Sequence, residues 1–250
     1  MFGDLSRPII FAHRGASAHA PENTLASFEL ALSQGADALE LDARLSADGQ
    51  VVVIHDPTVD RTTNGHGRVA QLTSTELRSL DAGGFFSEKY RGEKIPLLEE
   101  VFEAAGKKAF INVELKNHPT SRDPLVERVC ALITKHGLEK RIIFSSLLAS
   151  NLGKAKRLLP EVPRGLLALR GWMGAWARSF GFSFGDYIAL HPHLTDVTKE
   201  QIVRVHRLKR RVHVWTVNQA EDMARLNTWG VDGIFTDDPQ LALRALERSL

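Results

Sequence analysis

Short apolar runs alternate along the chain with stretches whose apolar positions recur every three to four residues. That alternation predicts a parallel sheet covered by helices. The β-like runs fall at residues 8–12, 38–42, 109–115, 141–145, 165–169, 187–190, 212–217 and 233–235. Helical spacing covers 25–34, 97–105, 124–136, 199–207 and 220–229. Eight such strands in a chain of 250 residues predict an α/β fold of the (β/α)8 TIM-barrel type. A doubly wound open sheet is the competing architecture.

One further β-like run, 51–55, follows Asp42 too closely for a crossover helix, because a parallel connection takes about a dozen residues or more. It is expected to return antiparallel through a tight turn at Asp48-Gly49. Pairing about that turn sets His55 opposite Asp42, on the same face; a longer turn through Ser46 shifts the register. Residues 57–96, rich in Thr, Gly and Arg, then read as a small insertion after the second strand, within a single domain spanning 1–250. The insertion is expected to lack a core of its own, to hold one short helix at 74–80 capped by Thr73, and to wall the site.

Composition narrows the function classes. Hydrophobic residues at 43% and charged residues at 25% are ordinary for a globular chain. A formal charge of +2, with one short basic stretch at Arg207, Lys209, Arg210 and Arg211, argues against nucleic acid. The single cysteine, Cys130, excludes an internal disulfide framework and falls on the apolar face of a predicted helix. No apolar run approaches the roughly 18 residues of a transmembrane segment, and residues 1–8 lack a secretory pattern, so the cytoplasm is the expected compartment. Oligomeric state is not legible.

The strand ends carry the chemistry. In a β/α barrel, polar residues at the C-terminal ends of strands converge on one site. Here the first strand ends in His13-Arg14-Gly15, the second carries Glu40-Leu41-Asp42, and the third ends in Glu114-Leu115-Lys116. Residues two apart on a strand share a face, so Glu40 with Asp42, and Glu114 with Lys116, project towards the barrel axis. So many charges in a barrel mouth are costly unless compensated. Three carboxylates without thiolates favour a hard divalent ion, Mg²⁺ or Ca²⁺ with Mn²⁺ as an alternative. His13 and His55 would instead complete a zinc site, and a metal-free arrangement in which Arg14 and Lys116 neutralise two carboxylates also accounts for the charges. A cation beside Arg14 and Lys116 would receive a phosphate group, and two histidines suit proton transfer on either side of phosphorus. The residues alone therefore indicate metal-assisted phosphoryl or acyl hydrolysis.

The order and spacing of His13-Arg14-Gly15, Pro21-Glu22-Asn23-Thr24, Glu40-Leu41-Asp42, Asp48-Gly49 with His55-Asp56, Glu114-Leu115-Lys116, Trp215-Thr216-Val217-Asn218 and Gly233-Ile234-Phe235-Thr236-Asp237 resemble the glycerophosphodiester phosphodiesterase family. The resemblance runs from His13 to Pro239. It implies hydrolysis of small glycerophosphodiesters to an alcohol and sn-glycerol 3-phosphate. By that resemblance Glu40, Asp42 and Glu114 bind one divalent cation, and Arg14 and Lys116 hold the phosphate. His13 and His55 are the acid/base pair, their individual parts unassigned, and Trp215 packs against the glycerol carbons. It also implies attack by the glycerol 2-hydroxyl, giving a cyclic phosphate that water opens. The alternatives are a lysophospholipase D or phospholipase C-like barrel, and a non-catalytic phosphodiester-binding protein.

Several features stand apart. Ser145-Ser146-Leu147 departs from the Ser-Phe-Asp expected of the resemblance and alters one pocket wall. Pro21-Glu22-Asn23-Thr24 is expected to be structural, with Asn23 or Thr24 as a helix cap and Glu22 orienting Arg14. Of His191 and His193, one is expected to face the site. As a plain helix, the segment from Gly171 would place Trp172, Trp176 and Phe180 on one face, packed on the barrel; the sharper reading is a hydrophobic lip for an acyl chain.

Overall fold

Alternating apolar runs in a computed structural model, which describes residues 5–117 and 123–248, close into a barrel. The strands are β1 (Ile9–His13), β2 (Ala38–Leu45), β3 (Val51–Val53), β4 (Phe110–Leu115), β5 (Ile142–Ser146), β6 (Arg164–Ala168), β7 (Ala189–Pro192), β8 (Arg211–Val214) and β9 (Gly233–Thr236). Their order is β1-β9-β8-β7-β6-β5-β4-β2-β3, and a parallel β1–β2 pairing closes the ring. Eight strands are parallel; β3 alone is antiparallel and hangs on β2. The (β/α)8 barrel expected from the pattern is the architecture found.

Alternate residues of each strand serve two cores. Ile10, Leu39, Leu41, Val113 and Leu115 face the helices in the main apolar cluster. Ile9, Phe11, Ile143 and Phe235 fill the lower barrel interior. The strand at 187–190 lies instead at Ala189–Pro192, so His191 is a strand residue. Two helices that the spacing did not mark, Ala149–Leu158 and Pro239–Ala245, complete the outer layer. Cys130 is buried on its helix, as expected.

The hairpin register needs correcting. Ala43 pairs with Val53 and Leu45 with Val51, so Asp42 meets Ile54 rather than His55. Ser46 N–H bonds Gln50 O at 3.0 Å, closing a loop of three residues in which Gly49 takes φ +77°. A third loop residue in the left-handed region shifts the pairing by one. The insertion also contains more apolar packing than expected. Val59, Val69, Leu77, Ala82 and Ile95 are buried in a second cluster, anchored on Val52 and Ile54 of the hairpin. Its short helix, Ser74–Ser79, carries the expected Thr73 cap.

Two histidines form part of the barrel interior. His213 Nδ1 lies 3.2 Å from His191 Nε2, and Phe11 and Phe235 pack against the two rings. The room comes from Gly165, where a Cβ would meet His191 Nε2 at 2.3 Å. Burial pushes the His191 pKa down to about 3, and burial with the neighbouring His191 pushes His213 down as well. Both are therefore neutral in the fold, whereas the unfolded chain takes up a proton near 6.5. The unfolded state binds more protons below that pH, so stability present at neutral pH is lost as pH falls. The expected slope is about 1.4 kcal/mol per pH unit for each histidine. Urea unfolding between pH 6.5 and 5 should show a shallower dependence by about that amount in His213→Leu. An unchanged slope would refute the assignment.

Candidate active site

The mouth of the barrel gathers the strand-end residues around a cavity of about 340 Å³. His13, Arg14, Glu40, His55, Glu114, Lys116 and Trp215 all line it, with Asp42 buried directly behind. All eight residues singled out from sequence thus meet at one end of the barrel.

The carboxylates come first. Oxygens of Glu40, Asp42 and Glu114 lie within 4.8 Å of one another. Glu40 accepts the Arg14 backbone N–H at 3.0 Å, and Asp42 accepts Asn23 Nδ2 at 2.8 Å. Lys116 Nζ reaches Asp42 at 3.3 Å and Glu114 at 3.2 Å, and Arg14 Nε stands 3.3 Å from Asp42. Burial favours the neutral acid, yet Lys116 and Arg14 hold the Asp42 pKa far below the carboxylate range. Glu40 goes the other way: burial and the charges of Asp42 and Glu114 raise its pKa well above the usual value. Arg14 and Lys116 thus pair with Asp42 and Glu114, and neither makes a side-chain ion pair with Glu40. An all-oxygen donor set of three carboxylates fits a hard divalent cation.

The two histidines are held alike. His13 Nδ1 lies 2.7 Å from Asp237 Oδ1, and Asp237 is fixed in turn by Ser17 Oγ at 3.0 Å and Asn218 Nδ2 at 2.5 Å. His55 Nδ1 lies 2.6 Å from Asp56 Oδ1, and Asp56 accepts Arg61 Nε at 2.6 Å. A carboxylate on Nδ1 sets the tautomer and leaves Nε2 for the cavity. Burial lowers the His55 pKa, with Lys116 and Arg14 acting in the same direction against the pull of Asp42. Hydrogen bonds to Arg61 and His55 outweigh burial and hold Asp56 at about 2.

Several functional neighbours escaped the sequence reading. Pro21-Glu22-Asn23-Thr24 is more than structural: Thr24 caps the helix at Leu25–Ser33, while Asn23 brackets Asp42. Glu22 does orient Arg14, at 2.9 Å, and is itself gripped by Arg61 at 2.7 and 2.8 Å. No sequence signal tied Arg61, an insertion residue, to this cluster. Asp237 stood at a strand end, where a site residue is expected. Gly15, at φ +86°, lets the turn after β1 lie against Ser27, whose Oγ would sit 2.3 Å from an added Cβ. His19 pairs with Asp238 and His66 with Asp60, neither lining the cavity.

Arg44 is the most informative omission. It is two residues beyond Asp42 and four beyond Glu40, hence on the same face of β2. Its buried guanidinium donates to His55 O at 2.9 and 2.6 Å and to Lys116 O at 2.9 Å. One side chain therefore fixes the backbone of a histidine from the hairpin and of a lysine from the barrel. This explains how His55 reaches the site despite the shifted register: β3 ends at Val53, and Arg44 holds the turning chain. Arg44→Met is expected to reduce kcat by about 10- to 100-fold, since an ångström of misplacement has effects of that order. KM and calorimetric metal binding should change far less, and an equal loss in all three would point to misfolding.

On the opposite side, Leu147, Leu167, Leu169, Trp215 and Phe235 make an apolar wall. Trp215 is oriented by its Nε1–H to His191 O at 2.8 Å, and its ring meets His193 edge-on at 5.1 Å. His191 forms part of the floor, while His193 turns outward and caps a short turn, so one of the pair faces the site as expected.

Residues 13–241 match the model of the Glycerophosphoryl diester phosphodiesterase family. The chain belongs to that family. It is 39% identical over 243 residues to a glycerophosphodiester phosphodiesterase of Caldanaerobacter subterraneus, covering 97% of this chain and 99% of the relative. A Bacillus altitudinis glycerophosphodiester phosphodiesterase is 36% identical over 242 residues, 95% and 98% of the two chains. Among solved structures, an Oleispira antarctica phosphodiesterase in complex with the product sn-glycerol-3-phosphate superposes with a TM-score of 0.87. It shares 33% identity, with 96% and 97% of the chains covered. Membership carries the expectation of an enzyme with it. Among the described residues, no helix is long and apolar enough to cross a membrane.

Proposed function

We propose that this enzyme hydrolyses glycerophosphodiesters to an alcohol and sn-glycerol 3-phosphate, with one divalent cation on Glu40, Asp42 and Glu114. The observation that carries the reading is the partition of the cavity. Carboxylates and cationic side chains occupy one side, an apolar wall the other, and two carboxylate-held histidines open onto the same space. When bound, the cation would polarise phosphoryl oxygens and offset developing negative charge.

The remaining work falls to the chain's own groups. Arg14, fixed by Glu22, and Lys116 hold the non-bridging phosphate oxygens; Trp215 receives the glycerol carbons. One histidine removes the proton from the attacking hydroxyl, and the other delivers a proton to the leaving alkoxide oxygen. Asp237 and Asp56 keep each Nδ1 protonated, so each Nε2 is free to exchange a proton with substrate. That product in the Oleispira antarctica relative supports the choice of a glycerol-based diester.

Incubation with glycerophosphocholine should release choline and glycerol 3-phosphate in the presence of Mg²⁺, Ca²⁺ or Mn²⁺, and EDTA should stop it. No turnover of any glycerophosphodiester with any of these ions would overturn the reading.

A further inference from the structure

The connection after β6 departs furthest from what its sequence predicts. As a plain helix it would lay Trp172, Trp176 and Phe180 against the barrel. It is instead a helical run of changing pitch, 3-10 at Gly171–Gly174, π at Ala177–Gly181 and α at Phe182–Phe184, and its aromatic face turns away from the barrel. Gly174, Ala177, Gly181 and Phe182 face inward. Because three of these are small, the backbone lies close to the barrel and the large side chains turn out. Trp172 is 86% exposed, Met173 60%, Trp176 56%, Phe180 69% and Phe184 85%.

This exposure is not looseness. Arg178 donates to Leu169 O at 2.8 Å and Gly171 O at 2.6 Å and pairs with Asp196 at 2.9 Å. Asp196 also accepts the Gly171 N–H at 2.6 Å. The base of the segment is thus clamped while its aromatic side chains project. Isolated exposed apolar residues need no explanation, but five from one anchored segment form a patch that calls for an occupant.

Position and charge select the occupant. The segment begins at Leu169, which lines the catalytic cavity, so the patch continues the apolar wall of Leu147, Leu167 and Leu169 out of the mouth. Leu147 stands where the family resemblance leads one to expect an acid. Arg170 is exposed at the foot of the patch. Arg164 and Arg178 are neutralised by Asp186 and Asp196, but Arg204 donates to Arg178 O and Arg210 to Phe182 O, so two further cations stand along the segment. Aromatic side chains flanked by Arg170, Arg204 and Arg210 suit the interface of an anionic lipid layer, where rings sit at headgroup level and cations meet phosphates.

We propose that the segment from Leu169 to Phe184 is a docking arm that seats the mouth of the enzyme on an anionic lipid surface, giving the site access to acylated glycerophosphodiesters. The second half of this statement rests on the proposed hydrolase reading and extends it. The phosphate sits among Arg14, Lys116 and the carboxylates, and the acyl chain follows the leucine wall towards the arm. Water then cleaves the bond between phosphorus and the headgroup oxygen: its hydroxyl goes to phosphorus and its proton to the departing alcohol, leaving an acylglycerol phosphate.

The test uses the full chain with its divalent ion. Vesicles of phosphatidylcholine alone are compared with vesicles of equal parts phosphatidylcholine and phosphatidylglycerol, and turnover is read on glycerophosphocholine and lysophosphatidylcholine. The wild type should sediment with the anionic vesicles, less so at high salt. Trp172→Ala with Phe184→Ala should weaken that partition about tenfold or more, since two large aromatic surfaces leave an apolar interface. Arg170→Glu, which leaves every aromatic in place, should weaken it as well. Both variants should keep their rate on glycerophosphocholine and lose rate on lysophosphatidylcholine. Unchanged vesicle binding in both would overturn the arm. So would a concentration-dependent dimer dispersed by the aromatic substitutions, which would make the patch a contact between two copies. Vesicle binding without turnover of either diester would support the arm and sink the hydrolase reading.

Discussion

His55→Ala is expected to lower kcat by about 10²- to 10⁴-fold, the usual contribution of a positioned acid or base, while the protein stays folded and still binds metal. The physical ground is the setting of the imidazole. Its Nδ1 is held by Asp56, which is held by Arg61, and its carbonyl is held by Arg44. Burial and the nearby cations lower its pKa, so at neutral pH it is a base ready to accept a proton. His13→Ala should show a loss of similar size through the matching arrangement with Asp237. The two losses should not multiply in the double variant, because proton removal and proton delivery belong to one reaction and act as a unit. Calorimetric titration with Mg²⁺ or Ca²⁺ should give near-normal affinity in both single variants. A variant with wild-type kcat would overturn the role of that histidine, and lost metal affinity would move it to the ligand set.

Glu40→Gln should have opposite effects with and without the cation. In the metal-free protein, burial and the charges of Asp42 and Glu114 disfavour the ionised form of Glu40 and raise its pKa. A neutral amide of the same shape removes that repulsion and can still accept the Arg14 N–H. Metal-free stability should therefore hold or rise. With the cation present the order reverses. A ligand at about a hundred times its Kd stabilises a native state by about 2.7 kcal/mol, and Glu40→Gln should lose most of that increment along with turnover. Thermal unfolding of both proteins, with EDTA and with saturating divalent ion, reads all four states. An equal metal-induced rise in Tm in wild type and variant would place the cation elsewhere. A variant that is less stable in EDTA would mean that Lys116 and Arg14 already balance the three acids.

Period-two patterning was legible wherever one residue decided one face. Leu41 between Glu40 and Asp42, and Leu115 between Glu114 and Lys116, made the facing of six charged or apolar positions readable without coordinates. His191 and His193 would share a face by that period, but β7 ends at Pro192 and only His191 faces the site. Patterning failed where a single backbone step changed the geometry. One extra loop residue at Ala47–Gly49 moved Asp42 from His55 to Ile54. Trp172, Trp176 and Phe180 do share a face, but the small residues Gly174, Ala177 and Gly181 gave the barrel the opposite one and sent the aromatics outward. Periodicity groups residues by face, but it fixes neither the number of residues in a turn nor which face of a helix is buried.

By itself, then, the order of residues determined the barrel, the face on which the carboxylates lie, and the family, since each depends on local period and on the linear order of strand ends. Only the tertiary structure decided which groups hold them. Asp237 against His13, Arg61 against Glu22, Asn23 against Asp42 and Arg44 against Lys116 are contacts between elements well separated in sequence. Nothing periodic encodes such contacts; they exist because closing the ring brings the strand ends, the hairpin and the insertion to one mouth, where each buried charge must find a partner.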